Sequence, residues 1–151
     1  MALHIRTASA DDLARLIELL AQLSLDTPRE VLSSERPEAY ATAMAEVLSD
    51  ARQRLLVAEE EGRVVGMACF VLVPNLSNIG RPYAFVEDVV VDAAERGHGY
   101  GEALMREAIR LARDAGCYKL TLTSNKARVN AHRFYERLGF RATHVGYRMD
   151  L

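Results

Sequence analysis

The sequence predicts an α+β domain, a mainly antiparallel sheet with one internal βαβ unit. Three observations predict it. Runs rich in β-branched and apolar residues fill the middle of the chain, from Gln53 to Val91. Apolar residues at helical spacing flank that region, at Leu13 to Leu23 and at Leu104 to Ala115. Between strand and second helical stretch the pattern switches at once, at Gly97, Gly99 and Gly101.

Leu3 to Thr7 reads as a short first strand. Ser9 and Asp12 have the spacing of a capping box, and Leu13, Leu16, Ile17, Leu20 and Leu23 then follow as a helical stripe. A polar loop with Pro28 leads to Pro37, placed for the first turn of a second helix that carries Tyr40, Ala43, Met44, Val47 and Leu48 on one face. Gln53 to Glu59 and Val64 to Val73 are strands around the hairpin turn at Glu61, Gly62 and Arg63. Pro74 to Pro82 is a polar connection, and Tyr83 to Val91 is the next strand. The helix after the glycines is capped by Gly116. Tyr118 to Thr123 reads as a strand, Asn130 to Leu138 as a short helix closed by Gly139, and Arg141 to Leu151 as one or two last strands.

The 151 residues are half hydrophobic and 26% charged, which suits one folded domain spanning 1–151. A net charge of −2 and a pI near 6.1 do not provide the basic surface of a nucleic-acid binder. Cys69 and Cys117 lack metal spacing and read as reduced thiols. No secretory signal or membrane-spanning run is evident, so a cytoplasmic protein without metal, nucleic-acid or membrane partners is expected.

The segment Arg96-Gly97-His98-Gly99-Tyr100-Gly101 carries chemistry. Glycines let the backbone turn tightly, and the helix that follows offers unpaired N–H groups at the positive end of its dipole. Such a turn suits phosphate or pyrophosphate. It lacks the lysine of a P-loop and the glycine spacing of a dinucleotide fold.

Some thirty residues later stands Asn130-Ala131-His132-Arg133-Phe134-Tyr135-Glu136-Arg137-Leu138-Gly139-Phe140. Together the two segments resemble the GNAT superfamily of acyl-CoA N-acyltransferases, most strongly from Glu87 to Phe140. The resemblance implies six to seven strands, about four helices, and a splayed strand pair that holds the cofactor, acetyl-CoA. It implies that Val89, Val90 and Val91 meet the pantetheine arm. The pyrophosphate would lie on Arg96, Gly97, His98, Gly99, Tyr100 and Gly101, with Glu102 just beyond. Asn130 would contact the cofactor, and Tyr135 would lie near the thioester sulfur as general acid.

Acyl transfer to an amine also needs a base, because most alkylamines are protonated at neutral pH. Glu87, in the pantetheine strand, is the candidate and Asp88 the alternative; a bulge would change which of them faces the site. Backbone N–H near Val89 is the expected oxyanion donor. His98 is expected to face the phosphates, and His132 to lie on a helix surface. The resemblance implies an acceptor site walled by Leu25 to Pro37 and Pro74 to Pro82, with Asp26, Arg29, Glu30, Glu35, Arg36 and Arg81 between them. A small-molecule amine is the expected partner. The alternatives are a protein or peptide amine and, in another class, a non-catalytic acyl-CoA sensor, which would need neither Glu87 nor Tyr135. Family members are often dimers, so a homodimer is an expected assembly.

Overall fold

The computed structural model describes residues 2–23 and 37–151. Its contacts divide the chain into two units, Met1–Thr121 and Leu122–Leu151, described in turn.

The first unit is built on strands β1 (His4–Thr7), β2 (Gln53–Glu60), β3 (Arg63–Val73) and β4 (Tyr83–Val91), joined by β5 (Leu120–Leu122). Their spatial order is their sequence order, β1-β2-β3-β4-β5. The first four pair antiparallel. β4 connects to β5 through helix α4 (Tyr100–Asp114), the crossover anticipated from the strand-to-helix switch. At its start the last pair advances in one direction along both segments: Tyr118 donates to the Pro82 carbonyl and Ala84 to that of Lys119, both at 3.1 Å.

Helices α1 (Leu13–Ala21) and α2 (Pro37–Ser49) cover one face of the sheet. Leu16, Leu19 and Met44 pack there with Leu55, Val57, Met67 and Val90. α4 covers the other face, lying across β3 and β4 with Leu104, Met105 and Ala108 buried. Helices on both faces explain why Leu55 to Ala58 are all buried: successive side chains alternate between two dry layers. α1 is launched as the capping pair predicts. The Ser9 N–H donates to the Asp12 carboxylate at 2.8 Å, while Arg6 on β1 grips the same carboxylate at 2.8 and 2.9 Å.

In the second unit α5 (Val129–Arg137) follows β5, and Gly139 closes it at φ +98°. Two expectations need correction. Among the described residues there are five strands, not six to seven, because 141–151 forms no strand. Val145, Tyr147, Met149 and Leu151 alternate as strand residues do, yet all four are exposed and no ladder partner pairs with them among the described residues. The described residues form five helices, not about four; the addition is α3 (Ser77–Gly80), a single turn inside the 74–82 connection, with Asn78 and Ile79 in the left-handed region. Among the described residues no helix is long and apolar enough to cross a membrane.

Candidate active site

The decisive irregularity is in β4. Val86 pairs with Phe70 and Val90 with Met67. Met67 and Phe70 are three apart and so face opposite sides of β3, whereas Val86 and Val90 are four apart and would share a side in a regular strand. One extra residue reconciles them. The register slips opposite Ala68, and Asp88 takes φ +52°, so the strand bulges at Asp88 and Val89. Glu87 lies before the slip, paired with Cys69, and Cys69 packs against the Met67 and Val90 cluster. Glu87 and Val90 therefore share the α1–α2 side of the sheet, with the bulge between them.

Both acids are exposed at this point. Partial burial, then the charge of Asp88, raise the Glu87 pKa above the ordinary glutamate value. The pair acts on its neighbour too: burial first, then Asp88 and Glu87, push the Cys69 thiol up to about 12. Cys69 is therefore a neutral thiol at physiological pH and a poor nucleophile.

β4 runs directly into the glycine segment. A single 3₁₀ turn, Ala93–Glu95, leads to Arg96, whose Nε lies 3.4 Å from the Val91 carbonyl. Gly97 and Gly99 sit at φ +87° and +85°, a conformation that side chains oppose, and a Cβ at either would meet nothing within 4 Å. The cradle is open on that side. The Ala103 N–H bonds the Gly99 carbonyl, so the N–H groups of Tyr100, Gly101 and Glu102 precede the helix ladder. That arrangement fits a pyrophosphate. Gly101 belongs to the first turn of α4, and Glu102 spends its charge on Arg106 four residues on. The Tyr100 ring turns inward, buried, and its hydroxyl bonds Glu60, which leaves its backbone for an anion. His98 stacks on that ring at 5.7 Å with Nδ1 3.0 Å from the Glu95 carbonyl.

Glu87, Val89 to Val91 and Arg96 to Glu102 thus form one continuous strip of the first unit. Asn130 and Tyr135 belong to the second. Asn130 is exposed in the first turn of α5. Tyr135 is half-buried, edge-on to Phe134 and Phe140 at 5.1 and 6.0 Å, and the Phe140 N–H returns to its carbonyl at 3.1 Å. His132 meets the Asn125 carbonyl at 2.9 Å. Of the expected acceptor wall, Leu25 to Arg36 lies outside the described residues. Arg81 reaches the Gly116 and Cys117 carbonyls at 3.3 Å, at the end of β4 away from the bulge. Among the described residues no group of three or more His, Cys, Asp or Glu is arranged to hold a metal.

Sequence reasoning missed what fixes the strip in place. Arg15 of α1 pairs with Asp92 and donates to the Val64 carbonyl at 2.9 Å, and Gln22 accepts from the Ala93 N–H at 2.8 Å. No local pattern could announce these contacts, since the partners stand about 50 to 80 residues apart.

Comparison with known proteins assigns the family. The model of the acetyltransferase (GNAT) family matches residues 17–140. A glucosamine 6-phosphate N-acetyltransferase of Trypanosoma brucei brucei is 33% identical, over 99% of this chain and 96% of that protein. An aminoalkylphosphonate N-acetyltransferase of Salmonella typhimurium is 30% identical, over 95% of this chain and 86% of that protein. The solved structure of a putative acetyltransferase from Agrobacterium tumefaciens superposes with a TM-score of 0.87 at 35% identity, covering 98% of this chain and 99% of that one. The chain belongs to the GNAT family of acetyltransferases, enzymes that take their acetyl group from acetyl-CoA.

Proposed function

We propose that this chain is a cytoplasmic, single-domain N-acetyltransferase that moves the acetyl group of acetyl-CoA directly onto the primary amine of a small molecule. The observation that carries the reading is the continuity of the bulged acidic strand with the open glycine turn. An anion-binding cradle and a candidate base sit on one continuous segment of chain, about ten residues apart, which is what a long cofactor with phosphates at one end and a thioester at the other requires. In this reading the pantetheine lies along Val89 to Val91, in the wedge between β4 and β5, with Asn130 as a further contact.

Glu87 takes a proton from the ammonium, directly or through water. The amine attacks the thioester carbon, and N–H groups around Val89 stabilise the oxyanion. The C–S bond then breaks as the C–N bond is kept; the Tyr135 hydroxyl protonates the leaving thiolate, and the second proton of the attacking nitrogen passes through water to restore that hydroxyl, leaving the neutral amide. The raised Glu87 pKa brings the base nearer to neutrality. The neutral Cys69 thiol supports direct attack over an acyl-cysteine route.

Two relatives carry names that pair an amine with a phosphorus oxyanion, glucosamine 6-phosphate and an aminoalkylphosphonate. An acceptor of that type is the reading supported for this chain. Initial rates with glucosamine 6-phosphate, glucosamine, an aminoalkylphosphonate and a lysine peptide test it. Preference for the phosphorylated or phosphonylated amines is expected; preference for the peptide would overturn the small-molecule assignment.

A further inference from the structure

The glycine turn is gripped from outside by the tip of the β2–β3 hairpin. Glu61 and Gly62 both take positive φ, +51° and +77°, a tight two-residue turn that sets Glu60 opposite Arg63. These two residues then reach to opposite ends of one segment. Glu60 accepts the hydrogen bond of the Tyr100 hydroxyl, at the first residue of α4. Arg63 pairs with Glu95, the residue before Arg96. The stretch between the two anchors is Arg96 to Gly99, the glycine turn of the cradle, which leads into the free N–H groups at the start of α4.

α1 reinforces the upstream side through Arg15 to Asp92 and Gln22 to Ala93. Between the anchors, Arg96 and His98 reach only neighbours along the same segment, the Val91 and Glu95 carbonyls and the Tyr100 ring. A Cβ at Gly97 or Gly99 would meet nothing within 4 Å, and both glycines occupy backbone states that glycine leaves as readily as it enters. Ordering so permissive a stretch costs backbone entropy, a cost borne at binding unless the anchors meet it beforehand.

We propose that Glu60 and Arg63 are positioning residues for the turn that receives the coenzyme A pyrophosphate, an inference that rests on the function proposed above. Neither side chain touches the cofactor; each acts through one end of the cradle. The ion pair of Arg63 is largely exposed, and such pairs contribute little to global stability. Its effect is local, on how often the cradle N–H groups converge.

The test compares wild type, Arg63→Gln, Arg63→Lys, Glu60→Ala and the Arg63→Gln, Glu60→Ala double variant. Calorimetric titration with CoA reads affinity. Turnover with glucosamine 6-phosphate reads two donors, acetyl-CoA and acetylpantetheine, the second of which lacks the pyrophosphate. Each removal is expected to weaken CoA binding by about 3- to 10-fold, with most of the loss restored by Arg63→Lys. KM for acetyl-CoA rises in step, kcat at saturating donor holds, and kcat/KM for acetylpantetheine is unchanged. Unaltered CoA affinity in the double variant overturns the proposal. An equal loss with acetylpantetheine overturns it as well, because that marks general damage. Arg63→Gln keeps the test decisive if Glu60→Ala does not fold, since Arg63 is exposed. A wild-type protein that binds no CoA sinks the functional reading itself, a result distinct from both.

Discussion

Asp12→Asn removes a charge at the junction of β1 and α1 while keeping the shape of the side chain. Asp12 is buried, 9% exposed, and receives Arg6 through two bonds and Ser9 through two, from its N–H and its hydroxyl. The Arg6 guanidinium draws its pKa from 3.8 down to about 2, against the opposing effect of burial and with help from the Ser9 N–H. A carboxylate depressed on folding contributes stability that is complete above its unfolded pKa of about 3.9 and is lost as pH falls through the folded value. The size of that drop corresponds to about 2 kcal/mol; because Arg6 is itself partly exposed, about 1–2 kcal/mol is expected. Urea unfolding at neutral pH and at a series between about pH 5 and pH 2 measures it. The variant should be less stable at neutral pH by that amount, and should lack the corresponding share of the acid loss between about pH 4 and pH 2. Equal stability at neutral pH, or an unchanged acid slope in the variant, would refute the reasoning.

Other outcomes follow from the site. Glu87→Gln should lower turnover by ~10² and remove an acid limb of the pH–rate profile that lies above the ordinary glutamate range; a limb that survives there but vanishes in Asp88→Asn would make Asp88 the base. Tyr135→Phe should keep the fold and CoA affinity while turnover falls by ~10² or more, and near-wild-type turnover would remove Tyr135 from the mechanism. In Gly66→Ala the added methyl would lie 3.0 Å from the Val90 carbonyl and 3.3 Å from Leu104 and Val91. That crowding should cost about 1–3 kcal/mol by thermal or urea unfolding, and an unchanged midpoint would contradict the packing described.

Local patterns in the sequence announced most of the architecture. The β-branched run Val89-Val90-Val91 ends its strand where expected, the Glu61-Gly62 turn makes the hairpin, and Leu104, Ala108 and Ala112 form the buried stripe of α4. These features depend on residues a few positions apart, and propensity and periodicity report them. The bulge was legible only as a condition. Two adjacent acids inside an apolar strand signal a break in alternation, but the slip is defined by the partner strand, at Ala68. The 141–151 segment shows the opposite failure: Val145, Tyr147, Met149 and Leu151 alternate correctly, yet alternation alone cannot make a strand without a neighbouring backbone. The anchors of the cradle, Arg15, Gln22, Glu60 and Arg63, were invisible because each meets a partner far along the chain. As isolated polar residues they read as surface.

Release of free thiol from acetyl-CoA tests the central claim most directly. Purified protein is mixed with acetyl-CoA and glucosamine 6-phosphate, each omitted in turn, and the thiol and the acetylated amine are both measured. The account predicts thiol release that needs the amine and matches the N-acetylated product mole for mole. Failure to bind acetyl-CoA, or thiol release that is the same with and without this amine and the aminoalkylphosphonate, would contradict it.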